Sequence, residues 1–330
     1  MGTGEKLPVS LMNLPHLSVR HLLGVRELSR EDLLAIFRVA RQMRENFLVP
    51  GRRSDLLAGK TVVNLFIEDS TRTRNSFQLA ASRLGASVLN VTGGGSSLSK
   101  GETLLDTVRV IEAMRVDAIV IRHSAACAPH FLAERCSSVF VNAGDGRHEH
   151  PTQALLDAFT LSERWYDHEE PDRTGLENKL VTIVGDIAHG RVALSNILAL
   201  KKLGARVAVC GPPTLIPRGI EELGAEIIPT VDEAIERSDA VNMLRMQLER
   251  QKGAFVPSLS EYSRIFGLNR YQLRAAGRED LIVLHPGPIN RGVELDSETA
   301  DSENSVILEQ VSNGVAVRMA VLAMLLQNQD

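Results

Sequence analysis

The sequence predicts an α/β protein built from two doubly wound parallel-sheet domains linked by long helices. Three observations carry that expectation. Short apolar runs alternate with amphipathic helical stretches along most of the chain, which is the pattern of βαβ units. The 330 residues exceed what one core usually organises, so two domains of similar size are expected. Almost every chemically pointed residue follows a run that reads as a buried strand, and open parallel sheets bind ligands at the carboxyl ends of their strands.

Taken in order, KTVVNLFI (60–67) reads as a buried strand. Phe77, Ala80, Ala81 and Leu84 then form a helical stripe that Gly85 stops. ASVLNV (86–91), VDAIVIR (116–122) and SSVFVNAG (137–144) are the next strands, with helices marked by Leu104, Leu105, Val108 and Ile111 and by residues 126–136. A long helix starts near Pro151, a residue favoured in a first turn. After the polar stretch 166–179 the alternation restarts, with strands at 180–185, 205–210, 225–229, 239–244 and 280–285. Residues 246–268 read as a long irregular loop. A closing helix covers about 304–327, with Val311, Val315, Met319 and Leu322 on one face. The expected domains are 1–150 and 151–303. The pattern alone leaves open whether the closing segment, about 304–330, returns to the first domain; the expected organisation has it do so.

Composition narrows the function. The chain is 44% hydrophobic and 24% charged, with a formal net charge of −4, which argues against general nucleic-acid binding. Three cysteines (Cys127, Cys136, Cys210) without C-x-x-C spacing indicate neither a disulfide framework nor a zinc site. Cys127 and Cys210 read as small core residues. No apolar stretch approaches the ~20 residues a bilayer span needs, and the N-terminus lacks an apolar signal-peptide core. A cytoplasmic protein without membrane or nucleic-acid partners, metal or cofactor is expected.

The stretch FIEDSTRTRNSF (66–77) concentrates hydroxyls and arginines behind the first strand. Ser70 or Thr71 would lie near a helix N-terminus, where free N–H groups and the dipole attract an anion. Arg72 adds a planar fork that matches two phosphate oxygens. A simple N-cap followed by solvated arginines is the bland alternative. The stretch is not a P-loop, since G-x-x-x-x-G-K-[ST] is absent. His150, at a helix start, could donate to a carbonyl oxygen or oxyanion, with Gln153 one turn further along. Alone it would read as a capping histidine. Lys100, in the Gly-rich GGGSSLSKGE, would alone read as a surface lysine. GDIAHGR (185–191) lacks G-x-G-x-x-G, and HPGP (285–288) could be a rigid turn.

Together these stretches resemble the transcarbamoylases, and within them the aspartate-specific catalytic chains, from about Arg20 to the C-terminus. STRTR (70–74) and HPTQALLDAFT (150–160) match motifs general to that family. SSLSKGET (96–103), LRMQ (244–247) and HPGPINRGVE (285–294) point to aspartate rather than ornithine. The S-M-G and H-C-L-P motifs of the ornithine enzymes are absent. The resemblance implies transfer of a carbamoyl group from carbamoyl phosphate to L-aspartate, an early step of de novo pyrimidine synthesis. The first domain would bind carbamoyl phosphate and the second aspartate.

By matching motif positions, the resemblance assigns Ser70, Thr71, Arg72 and Thr73 to the phosphate. Thr73, Arg122 and His150 would contact the carbamoyl oxygen, with Gln153 near its amide. Arg191, Arg245 and Gln247 would take the aspartate carboxylates, and the backbone at Gly287 and Pro288 would line the site. Ser96 and Lys100 would reach in from a neighbouring subunit of a homotrimer. Glu68 would pair with arginines such as Arg191. Arg72, Thr73, Lys100, Arg122 and His150 form the implied catalytic set. A regulatory chain or a dihydroorotase is an open partner. The competing readings are a transcarbamoylase for ornithine or another amino acid, a non-catalytic scaffold homologue, and a nucleotide-binding regulator.

Overall fold

The computed structural model describes residues 14–49, 51–93, 101–166, 174–247, 256 and 258–327. They fall into two compact units, one from Met1–Thr152 with Asn313–Asp330 and one from Gln153–Ser312.

The first unit holds a parallel sheet of β1 (Thr61–Phe66), β2 (Ser87–Thr92), β3 (Ala118–His123) and β4 (Val139–Asp145), in the order β2-β1-β3-β4. Burial of both faces explains the continuous apolar runs that announce β1 and β3 in the sequence. The edge of β4 is covered by the chain around Leu22, whose N–H donates to Phe140 O at 2.9 Å while its carbonyl accepts from Asn142 N at 2.8 Å. The Thr71–Arg83 helix buries Phe77, Ala80 and Ala81, the i, i+3, i+4 face predicted for it. Gly85 ends this segment at φ +84, where a Cβ would stand 2.8 Å from Ser54 O.

Two readings of this unit need correction. An Arg30–Phe47 helix precedes β1, started by a reciprocal capping box between Ser29 and Asp32, and the sequence reading passed over it. Cys127, expected in the core, is exposed; it caps the Ala128–Ala133 helix in a left-handed conformation (φ 60, ψ 10). Cys210 is buried and Cys136 half-buried.

The Ile307–Leu326 helix is long and apolar enough to cross a bilayer by length and composition, contrary to the sequence expectation, but 72% of its apolar window is buried within the protein. It is a core helix. Val315, Met319 and Leu322 are buried as the period predicts, whereas Val311 is 56% exposed. Arg318 donates to Ser76 Oγ at 2.8 Å and lies 5.1 Å from the Phe77 ring centroid, tying the end of the chain into the first unit.

The second unit holds β5 (Leu180–Val184), β6 (Arg206–Cys210), β7 (Ala225–Ile227), β8 (Ala240–Met243) and β9 (Ile282–Leu284), all parallel, in the order β7-β6-β5-β8-β9. The stretch read as one irregular loop, 246–268, contains a Leu259–Phe266 helix. Ser258 caps it by accepting from Glu261 N, and Tyr262 and Phe266 anchor it in the core.

Candidate active site

In each sheet the chain runs out to one edge, returns, and runs out to the other. The reversal lies between β1 and β3 in the first unit and between β5 and β8 in the second. Loops after the two strands flanking such a reversal splay apart and leave a crevice for ligands. The predicted site residues Ser70–Thr73 follow β1, and Arg122 lies at the end of β3. Arg191 follows β5, and Arg245 and Gln247 follow β8.

Ser70 is the extended N-cap (φ −161, ψ 94) of the Thr71–Arg83 helix, and its hydroxyl donates to Thr73 Oγ1 at 3.0 Å rather than capping the backbone. The Ser70 hydroxyl therefore does not cap the first-turn N–H groups of this helix, and a helix N-terminus is a place that attracts anions. Thr71 and Arg72 are exposed there. Arg122 is oriented by Ala143 O, which its Nη1 meets at 3.1 Å, and by Glu68 Oε1, 2.8 Å from its Nη2. Glu68, which the resemblance paired with arginines such as Arg191, thus engages Arg122.

The loop after β4 is stiffened before it delivers His150, which is buried (5% exposed) at the head of the Pro151–Trp165 helix. Buried Asp145 accepts from Cys127 N (2.6 Å), Asn142 Nδ2 (2.8 Å) and Glu149 N (3.0 Å), and His148 Nδ1 lies 3.1 Å from its Oδ2. Glu149 in turn accepts from Val25 N at 2.7 Å. Cys127, His130, Asp145 and His148 bring their ligand atoms within 4.8 Å of one another, a grouping that the C-x-x-C search could not see. Within it, Asp145 is satisfied by these hydrogen bonds, and His130 Nε2 lies 3.4 Å from Glu27 Oε1.

The same contacts set a pH dependence. The hydrogen bond to Asp145 raises the His148 pKa above the usual histidine value. Burial alone would raise the Asp145 carboxyl, but its hydrogen bonds from His148, Asn142 and the backbone hold it below the usual range. A histidine raised in the folded state stabilises fully below its unfolded pKa of about 6.5, and the contribution is lost as pH rises through the folded value. Urea midpoints of wild type should fall relative to those of His148→Gln across that window. Parallel pH curves would disprove the linkage.

In the second unit Gly190 caps the Arg191–Lys202 helix in a turn so tight that a Cβ would meet Asp186 O at 2.6 Å. Asp186 Oδ1 closes the turn by accepting from His189 N at 3.1 Å and lies 2.8 Å from His189 Nδ1. GDIAHGR thus builds a launching turn for Arg191, which is 3% exposed. Arg245 and Gln247 are half-buried, with Gln247 Nε2 3.4 Å from Arg245 O. After β9, Gly287 (φ +64) donates its N–H to His285 Nδ1 at 2.8 Å and is joined to Pro288 by a cis peptide. His285 Nε2 lies 3.2 Å from buried Glu294 Oε1, which also accepts from Asn290 N. Gln153 is buried, and its amide nitrogen donates to Asp157 at 2.8 Å. Sequence reasoning missed Asp157 and Glu294. Ser96 and Lys100 lie outside the described residues.

The thiols offer no activated nucleophile. Burial pushes the Cys136 pKa to about 11 and that of Cys210 to about 12, and Cys127 is raised as well, by burial and by Asp145.

Comparison with known proteins identifies the family. Residues 20–163 match the family model described as the carbamoyl-P binding domain of aspartate/ornithine carbamoyltransferase, and residues 177–325 match its Asp/Orn binding domain. The aspartate carbamoyltransferase catalytic subunit of Myxococcus xanthus is 55% identical over 308 residues, 92% of this chain and 98% of that protein. The corresponding subunit of Cytophaga hutchinsonii is 51% identical over 316 residues, 96% and 100%. Among solved structures, Trypanosoma cruzi aspartate transcarbamoylase in complex with N-(phosphonacetyl)-L-aspartic acid superposes with a TM-score of 0.84 at 29% identity, covering 96% of this chain and 99% of that one. The ornithine carbamoyltransferase of Pyrococcus furiosus gives 0.80 at 29% identity, covering 94% and 98%. Two matched domain models and relatives above half identity across nearly the whole chain leave one conclusion: the chain belongs to the aspartate/ornithine carbamoyltransferase family.

Proposed function

We infer that the chain is an aspartate carbamoyltransferase, converting carbamoyl phosphate and L-aspartate to N-carbamoyl-L-aspartate and phosphate in pyrimidine biosynthesis. The observation that carries this reading is the placement of Arg72, Arg122, Arg191 and Arg245 behind the strands that flank the reversal in each sheet. Carbamoyl phosphate carries about two negative charges and aspartate two carboxylates, so an acidic protein must concentrate cations locally to bind both.

In this reading the first unit, with Ser70, Thr71, Arg72 and Thr73, holds the phosphate, and Thr73, Arg122 and His150 donate to the carbamoyl oxygen. Arg191, Arg245 and Gln247 take the aspartate carboxylates, beside the Gly287–Pro288 backbone. The neutral amine of aspartate attacks the carbonyl carbon. The oxygen becomes anionic in the tetrahedral intermediate, where donors aimed at it lower the barrier. As that carbon's bond to the phosphate oxygen breaks, the departing phosphate takes the proton from the attacking amine. The protein's contribution is orientation of two bound substrates and charge stabilisation, without a covalent intermediate. Ser96 and Lys100 complete the set from a neighbouring subunit of a homotrimer in the cytoplasm.

The fold does not separate aspartate from ornithine as the acceptor, because the two solved relatives superpose almost equally well. The LRMQ and HPGPINRGVE motifs and the M. xanthus and C. hutchinsonii relatives favour aspartate. Incubation with carbamoyl phosphate and either amino acid should yield ureido product and phosphate with aspartate alone. Product with ornithine would overturn the specificity; none with either would overturn the activity.

A further inference from the structure

Asp157 sits one turn after Gln153 on the Pro151–Trp165 helix and is 1% exposed. Four neutral side-chain amides donate to its carboxylate. Oδ1 accepts from Gln153 Nε2 at 2.8 Å and Gln310 Nε2 at 2.7 Å; Oδ2 accepts from Asn196 Nδ2 at 2.8 Å and Asn242 Nδ2 at 3.2 Å. Burial pushes this carboxyl's pKa up, and the four donors act against that. Two donors on each oxygen leave no room for a carboxyl proton, so the arrangement is that of an ionised acceptor.

Three of the four donors belong to segments that carry a proposed substrate contact. Gln153 is itself one. Asn196 lies on the helix that Arg191 begins, and Asn242 lies on β8, three residues before Arg245. Gln310 passes the constraint on, because its Oε1 accepts from His285 N at 3.0 Å, and His285 Nδ1 holds Gly287 N. That backbone N–H can only donate, so it fixes which end of the Gln310 amide faces Asp157. The Gln153 amide is fixed by the same logic. Its nitrogen faces an acceptor-only carboxylate, so its carbonyl oxygen is the end left for a ligand.

We propose that Asp157 is the positioning residue of the active site: it presents Gln153 with the carbonyl oxygen outward, to accept from the NH₂ of carbamoyl phosphate, and locks the segments bearing Arg191, Arg245 and Gly287 around it. This rests on the reading of Gln153 as a substrate contact. With asparagine at residue 157 one acceptor oxygen becomes an N–H donor, and the Gln153 amide facing it can turn about its two-fold terminal torsion and offer N–H to a group that is itself a donor.

Acetyl phosphate, with a methyl where the substrate has NH₂, isolates this contact. Dissociation constants of carbamoyl and acetyl phosphate should be measured by calorimetry, which needs no turnover, on wild type, Asp157→Asn, Gln153→Ala and the double variant. The preference for carbamoyl phosphate should fall about ten-fold in Asp157→Asn, with a loss of similar size in Gln153→Ala and no further loss in the double variant. If Asp157→Asn weakens both ligands equally and keeps the preference, Asp157 is merely structural and the proposal fails while the reading of Gln153 stands. If Gln153→Ala keeps the preference, the reading of Gln153 fails and the proposal with it. Should Asp157→Asn not fold, Asp157→Glu, which displaces the carboxylate by one methylene, gives the same ratio to measure.

Discussion

Replacing Arg72 by alanine lowers turnover with carbamoyl phosphate and aspartate by about 100- to 1000-fold, the cost typical of removing one preorganised donor from a developing charge. The phosphate gathers negative charge as the carbon–oxygen bond breaks, so the guanidinium is worth more in the transition state than in the ground state. Arg72→Lys restores the charge but not the two-pronged geometry and should recover only part of the loss. The fold should be unaffected. Arg72 is exposed in the first turn of its helix, and exposed substitutions usually shift stability by no more than about 0.5 kcal/mol. The checks are steady-state kinetics with both substrates and a thermal melt. Near-wild-type turnover would remove Arg72 from the phosphate site.

If the protein is a homotrimer with shared sites, mixing two inactive variants should restore activity. Lys100→Ala and His150→Ala, purified separately, should each be nearly inactive if each site takes its histidine from one subunit and its lysine from the next. A three-fold ring presents each loop to one neighbour, so every mixed trimer regains one intact site of three. Dissociation, mixing and random reassembly then return roughly a quarter of wild-type activity, since about a quarter of the trimers stay unmixed. Native mass spectrometry establishes that mixed trimers have formed. Mixed trimers without activity would place Lys100 and His150 in the same subunit's site, or Lys100 in none.

The central strands were legible because they are continuous apolar runs buried on both sides, whereas edge strand β2 is largely exposed. KTVVNLFI became Thr61–Phe66, and the run at 180–185 became Leu180–Val184. The placement of arginines behind strands was legible for the same reason, since finding the strand end finds the loop. The Arg30–Phe47 helix was missed although Ser29, Asp32 and the stripe of Leu33, Ile36, Phe37 and Ala40 announce it. Cys127 was misread because apolar neighbours do not report that the chain turns left-handed there. Val311 shares a helical face with Val315, but that face is covered only from Val315 onward, and periodicity carries no information about where cover begins. The Asp157 network could not be read at all. Its donors stand at positions 153, 196, 242 and 310, brought together only by tertiary folding, and each alone looks like an ordinary polar residue.

Residues 313–326 belong to the unit that begins at the other end of the chain, and this bears on synthesis. A ribosome finishes residue 152 long before it reaches residue 313; at about 5–20 residues per second the interval is on the order of 10–30 s. For that time the nascent first unit has its sheet but not the segment that places Val315, Met319 and Leu322 in its core and Arg318 beside Phe77. The second unit is contiguous and can close as it emerges. The half made first is thus completed last, and its apolar surface waits on the translating chain, where nascent-chain chaperones act.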